Sequence, residues 1–409
     1  MVTALGLVAG VTIILTGVKR KFHIGLTSVV AAVILSLFSG QAWTVLTVSL
    51  VDTLLAPSNR TLLLAIALIT ALGKTMQVSG AMTTLADSTQ KLFRTPKGTI
   101  FVLPALVGFL SVPGASIFSA PMVDASGRQL GMSTEQRAVA NVYFRHLWYL
   151  VYPLYPPFIL LQQMSGIPYQ ALLFPGLIAM AASFATAAYV SFRGAANPVE
   201  HQESHAREAL PAFISSVLPL VAVLGLSLGA GLSFPLAVLI GIVLALLIVP
   251  GQGLNTDNLG KRLREGVLAG IDWHIVSAVA GIVFFSRVVV NSGAVTVLAA
   301  RFSLKASSLL MLALAVPFLV GFITGSHQGA IGIVLPILLP LLAGQPNGHR
   351  LVALLYMASL GGYLMSPAHV CLIGTIEYLK GDLVATWRLA WLPTGVLLMV
   401  TLIFGLVWV

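Results

Sequence analysis

Charge is what this chain has least of. Asp, Glu, Lys and Arg make up 8% of its 409 residues, against roughly 25% in a water-soluble domain, while 58% are apolar. So little polar side chain cannot cover a water-facing surface, which excludes a soluble protein and requires lipid around most of the chain. Cysteine is nearly absent as well. Cys371 stands alone, so no intrachain disulfide can form, and in an apolar run it reads as a small helix-packing residue. The chain has no HExxH zinc motif, no Walker loop and no paired Asp inside an apolar run, which argues against an enzyme. The histidines His146, His327 and His369 are too far apart in sequence to require or exclude a metal site. Met1 to Gly17 is apolar with no basic residue in front of it, so no cleavable signal peptide is expected.

What charge there is has a pattern. The formal net charge is +10, but the basic residues sit in short clusters between apolar runs: Lys19-Arg20-Lys21, Lys91/Arg94/Lys97 and Lys261-Arg262/Arg264. Such clusters are positive-inside signals facing anionic headgroups, and no nucleic-acid partner is expected. Because basic residues follow the first apolar run, the N-terminus is expected outside.

A spanning helix takes about 20 mainly apolar residues. Runs of that kind cover 2–18, 22–39, 61–79, 134–163, 168–192, 212–229, 232–250, 274–291, 351–376 and 384–408. Segments 41–58 and 251–272 are expected along the membrane interface, with Asp272-Trp273 at headgroup depth. Two further apolar segments are interrupted in the middle. Residues 99–123 break at Ser111-Val112-Pro113-Gly114-Ala115-Ser116, and 308–341 break at Thr324-Gly325-Ser326-His327-Gln328-Gly329. Lipid cannot satisfy the backbone groups freed at such a break, so each must be buried in protein or face a watery cavity. Both segments read as re-entrant hairpins with central tips; one kinked span each is the alternative.

The chain also repeats. Ser79-Gly80-Ala81-Met82-Thr83-Thr84-Leu85-Ala86 matches Ser292-Gly293-Ala294-Val295-Thr296-Val297-Leu298-Ala299 at six of eight positions. Leu106-Val107-Gly108-Phe109 returns as Leu319-Val320-Gly321-Phe322 at the same spacing, 213 residues on, and Pro121 has its counterpart at Pro336. The expected fold is therefore an all-α membrane protein of two repeats, 1–192 and 212–409, joined by a cytoplasmic linker at 193–211. Each repeat holds five transmembrane helices and one re-entrant hairpin. Five is odd, so the repeats are inverted.

Inverted-repeat transporters hold substrate where discontinuous helices meet at mid-membrane, with helix N-termini facing anions and unwound carbonyls facing Na⁺. The first tip offers Ser111, Pro113, Gly114, Ala115, Ser116 and Ser119, and the second offers Thr324, Gly325, Ser326, His327, Gln328 and Gly329. Small residues there also serve simple helix packing. A second break follows in each repeat, Tyr152-Pro153-Leu154-Tyr155-Pro156-Pro157 and Tyr363-Leu364-Met365-Ser366-Pro367-Ala368-His369. It adds Tyr152, Tyr155, Ser366 and His369, although packing plus one hydrogen bond accounts equally for the tyrosines. Arg145 and His146 lie within a span; Arg145 either draws in an anion or, the favoured expectation, snorkels to the surface like Lys74 and Arg287. Apart from Glu135 at the very start of the run 134–163, the twelve Asp and Glu fall in loops, the linker or interfacial segments, so the intramembrane carboxylate that a cation or proton antiporter usually needs is missing. Any coupled proton would fall to His146, His327 or His369.

Two repeats, each with a hairpin, a broken helix and a span ending in a Ser-Gly turn, resemble the ion transporter superfamily, which holds dicarboxylate and citrate carriers and sodium–proton antiporters. Within it, Pro113-Gly114-Ala115-Ser116-Ile117-Phe118-Ser119-Ala120-Pro121-Met122-Val123-Asp124, Phe144-Arg145-His146-Leu147-Trp148 and Tyr152-Pro153-Leu154-Tyr155-Pro156 are similar to a prokaryotic integral-membrane family of unassigned function. The Ser-Asn-Thr signature of the dicarboxylate carriers is absent from the tips. The resemblance implies a secondary transporter in the prokaryotic inner membrane. It further implies a homodimer with an elevator-like shift. Unwound carbonyls and hydroxyls at the hairpin tips offer a place for Na⁺ as a coupling ion, and no other cofactor is expected. The expected substrate is a small organic anion, carried with Na⁺ or H⁺. A sodium/proton antiporter of the same fold is the alternative, and a membrane-embedded enzyme a second one.

Overall fold

In lipid, a single segment can pair its own N–H and C=O groups only as an α-helix. The computed structural model describes residues 2–20, 22–92, 95–109, 116–196, 206–248, 256–294 and 305–408, and among them it holds helices and turns but no strand. The first half contributes α1 (Val2–Lys19), α2 (Ile24–Leu37), α3 (Ala42–Leu55), α4 (Pro57–Val78) and α5 (Ala81–Leu92). It continues with α6 (Pro96–Phe109), α7 (Ser116–Gln129), α8 (Thr134–His146), α9 (Pro156–Ser165) and α10 (Tyr169–Phe192). The second half contributes α11 (Ala206–Leu224), α12 (Phe234–Leu247), α13 (Thr256–Arg262) and α14 (Trp273–Asn291). It ends with α15 (Ala306–Thr324), α16 (His327–Ala343), α17 (Gly348–Leu364), α18 (Val370–Leu379) and α19 (Leu383–Trp408).

Local sequence sets the helix ends. Pro57 opens α4 at a position where its missing N–H is no loss. A capping box starts α8: the Gln136 N–H donates to Ser133 Oγ at 3.2 Å while the Ser133 N–H donates to Gln136 Oε1 at 2.8 Å. Gly80 and Gly293, the repeated glycines, both have positive φ (77° and 67°) and turn the chain out of α4 and α14.

Six helices among the described residues are long and apolar enough to cross a bilayer: Pro57–Val78, Tyr169–Phe192, Ala209–Ser227, Leu259–Asn291, Ala306–Thr324 and Leu383–Trp408. Their outward faces expose large apolar side chains such as Leu218, Met311, Met399 and Leu406, a surface that only lipid can cover. The protein is a multi-pass integral membrane protein.

Helix packing repeats as the sequence does. The pairs α1–α2, α2–α14, α6–α8, α6–α7, α7–α18 and α8–α10 are in contact. So are their counterparts α11–α12, α12–α4, α15–α17, α15–α16, α16–α9 and α17–α19. Two pairs, α4–α14 and α10–α19, join an element to its own equivalent. Exchanging the halves therefore maps each of the first six contacts onto its counterpart and each of the last two onto itself. Gly108 and Gly321 show the physical reason for one repeated tetrapeptide. A Cβ on either would stand 2.5 Å from a backbone oxygen of the neighbouring helix, Arg145 O and Ser359 O respectively. Only glycine lets these helix pairs approach so closely.

Candidate functional site

Among the described residues, the helical path breaks inside the molecule at three places. α8 passes through a 3₁₀ turn at Leu147–Leu150, loses helical form near Pro153 and resumes as α9, with Pro156 and Pro157 in its first turn. α17 stops at Leu364, and α18 starts after Pro367 with His369 as its N-cap. Between α15 and α16 the chain turns at Gly325, with φ of 60°, and the Gly329 N–H donates to Ser326 Oγ at 3.0 Å. α6 packs against α7, but Ser111, Pro113, Gly114 and Ala115 between them lie outside the described residues.

The breaks converge. Ser116 opens α7 and its Oγ donates to the Cys371 carbonyl at 3.2 Å. Tyr155, the N-cap of α9, brings its ring centroid within 5.5 Å of the ring of His327, the first residue of α16. Gly325 lies so close to Ala368 that a Cβ there would be 2.6 Å from its carbonyl. His327 stacks at 6.2 Å on Tyr363, whose ring is 4.0 Å from that of His369. The N-termini of α7, α9, α16 and α18 thus surround one buried cluster. Each carries partial positive charge and N–H donors not used within its helix.

His146, at the end of α8, is the hinge of the cluster. Its Nδ1 is 2.6 Å from Val142 O, which makes Nδ1 the protonated nitrogen and leaves Nε2 with a lone pair. That Nε2 is 3.3 Å from His369 Nε2 and 3.2 Å from Tyr363 Oη. Arg145 is 1% exposed, so it does not snorkel to a surface; packed helices enclose it, and it is hydrogen-bonded with Tyr149. Lys74, by contrast, is exposed, and half-buried Arg287 donates to Asn59 Oδ1 at 3.3 Å. The Tyr356 hydroxyl donates to Tyr149 O at 2.7 Å, tying the second half to the first.

The remaining candidates fall around this centre. Ser366 is buried in the same break as His369 and accepts from the Ala368 N–H at 3.1 Å. Thr324 and Ser326 bond within their own turn, and Gln328 is half-buried in the first turn of α16. Ser119 donates to Asn141 Oδ1 at 2.6 Å. Tyr152 is not brought to the cluster: it lines a separate cavity with Ile69, Leu72, Leu220 and Val238 of α4, α11 and α12.

Sequence reasoning missed two residues. Cys371, read from sequence as a packing residue, lies with its Sγ within 4.8 Å of one imidazole nitrogen each of His146 and His369. Its signal was the His-x-Cys spacing directly after a proline break. Asn141 donates to Ser116 O at 3.0 Å and to Thr375 Oγ1 at 2.9 Å, linking α7, α8 and α18. An amide inside an apolar span must find such partners, and that was its signal.

A family model described as a protein of unknown function (DUF401) matches residues 2–408. The chain belongs to the DUF401 family. No curated protein matches it. Among solved structures, this DUF401 chain is similar to the YdaH transporter of Alcanivorax borkumensis, with a TM-score of 0.63 and 14% identity over 89% of this chain and 87% of that one. At that identity the likeness speaks for the fold alone.

Proposed function

We propose that this DUF401 protein is a secondary active transporter of a small, carboxylate-like organic anion, coupled to Na⁺ or H⁺. In this reading it works by elevator-type alternating access as two inverted repeats of the ion transporter superfamily. One observation carries it: four helix N-termini, those of α7, α9, α16 and α18, meet at one buried cluster that also holds Arg145. Convergent positive helix ends suit an anion and would repel a bare cation. The fold likeness to a transporter supports the same reading. So does the packing, because α1–α4 group with α11–α14 while α6–α10 group with α15–α19, the two groups meeting along α14–α16, α1–α15 and α4–α9. A scaffold and a moving body would divide along that line.

The test is uptake into proteoliposomes holding the purified chain. Labelled mono- and dicarboxylates should accumulate under an inward Na⁺ or H⁺ gradient. Arg145→Gln should cut uptake by about tenfold or more, as loss of a charged hydrogen bond worth roughly 1.5–3 kcal/mol predicts. If no anion moves while added Na⁺ collapses a pH gradient, the protein is an antiporter instead and the anion reading is lost.

A further inference from the structure

The cluster at the crossing of the two broken helices contains a donor set that anion transport does not use. His146 Nε2, His369 and Cys371 Sγ come from α8 and from the start of α18, and their ligand atoms lie within 4.8 Å of one another. All three residues are buried. Bonds of about 2.0–2.1 Å to imidazole and about 2.3 Å to sulfur put donor atoms roughly 3.3–3.8 Å apart in a trigonal or tetrahedral site. The two imidazole nitrogens, at 3.3 Å, already meet that spacing. A small inward shift of Cys371 would complete it.

The shell around the donors has the form that orients ligands. Val142 O holds His146 Nδ1–H at 2.6 Å, which fixes the ring and turns the Nε2 lone pair towards its partners. His369 Nδ1 is buried with no hydrogen-bond partner, so its ring carries a second nitrogen free to serve as ligand or donor. Tyr363 Oη is 3.2 Å from His146 Nε2 and closes one side. Ser116 Oγ, bonded to the Cys371 carbonyl, pins the backbone that carries the thiol.

Charge decides which ion. On binding, the thiol proton leaves to solvent and the sulfur binds as thiolate. Two neutral imidazoles and one thiolate cancel a monovalent ion, leaving the buried complex neutral. A divalent ion would leave a net positive charge, which is costly in a low-dielectric interior. It would also sit beside Arg145, close enough to Cys371 for their charges to interact, and among positive helix ends. The bound sulfur, in the first turn of α18, lies at the favourable end of that helix's dipole. The thiolate is the soft donor that Cu(I) favours, imidazole suits copper as well, and the charge balance then favours the monovalent ion. We infer that His146, His369 and Cys371 form a binding site for a soft monovalent metal ion of the Cu(I) class. The site rests on its own donor geometry and does not require the transport reading.

The test uses the full chain purified in detergent under reducing, anaerobic conditions, titrated with Cu(I) against a chromophoric chelator. One Cu(I) per chain is expected. Cys371→Ser and His369→Gln, each eluting as the same monodisperse species as wild type, should weaken retention at least tenfold. X-ray absorption at the copper edge of the wild-type complex should show one sulfur and two nitrogen neighbours, which keeps the proposal testable should a variant misfold. Equal Cu(I) retention by wild type and variants would mean adventitious binding and overturn the site. So would a copper shell without sulfur, or stoichiometric Zn(II) held in preference to Cu(I). None of these readouts depends on whether the protein moves an anion.

Discussion

Glycines of two kinds occupy the repeat-related positions, and they fail differently when replaced. Gly108 and Gly321 are steric: alanine at either would press a methyl into a backbone oxygen 2.5 Å away. Backbone cannot rotate aside as a side chain can, so Gly108→Ala and Gly321→Ala should each cost about 1–3 kcal/mol. Gly80 and Gly293 are conformational. Open space surrounds a Cβ at each, and only the positive φ resists it. Gly80→Ala should therefore cost nearer 1 kcal/mol, the strain of a left-handed alanine. Thermal unfolding in detergent would rank the two classes, and equal losses would show that packing at the α6–α8 and α15–α17 crossings is looser than described. Arg145 teaches a related lesson. From sequence, its distance from the span end permits snorkelling; only the helices packed around α8, contributed from up to 250 positions away, make it a buried cation.

Among elements, one ion pair ties α7 to α8 and a weaker one lies within α7 itself. Asp124 on α7 pairs at 3.1 Å with Arg137 on α8, whose side chain is 7% exposed, and at 3.0 Å with Arg128, which is 67% exposed. Asp124→Asn leaves a buried guanidinium without its counter-charge and should cost about 3 kcal/mol. Arg128→Ala breaks a solvated pair and should cost less than about 1 kcal/mol. Similar melting temperatures for the two variants would refute the ranking. Closer to the cluster, Asn141→Ala strips Ser116 O, Ser119 Oγ and Thr375 Oγ1 of a buried partner, each worth about 1–3 kcal/mol if left unsatisfied. It should loosen α7 from α18, read as faster hydrogen exchange at the start of both helices. At this scale the sequence was most legible. Prolines at 153, 156, 157 and 367 and the glycine at 325 name the breaks, because a missing N–H or a left-handed turn is a local property. The partners were not legible. Nothing near Ser116 announces Cys371, 255 positions on, and nothing near Tyr155 announces His327. Such pairings exist only once two halves of the chain interlock.

For the molecule as a whole, the paired contacts α2–α14 with α12–α4 and α7–α18 with α16–α9 require that each half insert into the other. Two equivalent halves can interlock this way with either the same or opposite orientation across a bilayer. The five spans per half expected from the sequence, an odd number, and the crowding of Lys and Arg into alternate loops favour opposition. That orientation has a direct consequence for equivalent surfaces. Asp87, in α5 just after the Ser79-Gly80 turn, should face the cytoplasm, whereas Lys305, just before α15, should face outward; both are exposed. The single native thiol, Cys371, is buried, so an introduced cysteine can be read against a quiet background. Lys305→Cys should react with a membrane-impermeant maleimide on intact cells, and Asp87→Cys only after the membrane is opened. Labelling of both from the same side would mean that the halves run parallel. The α6–α7 and α15–α16 helix pairs would then enter the centre from one face, and alternating access through two opposed halves would have no structural basis.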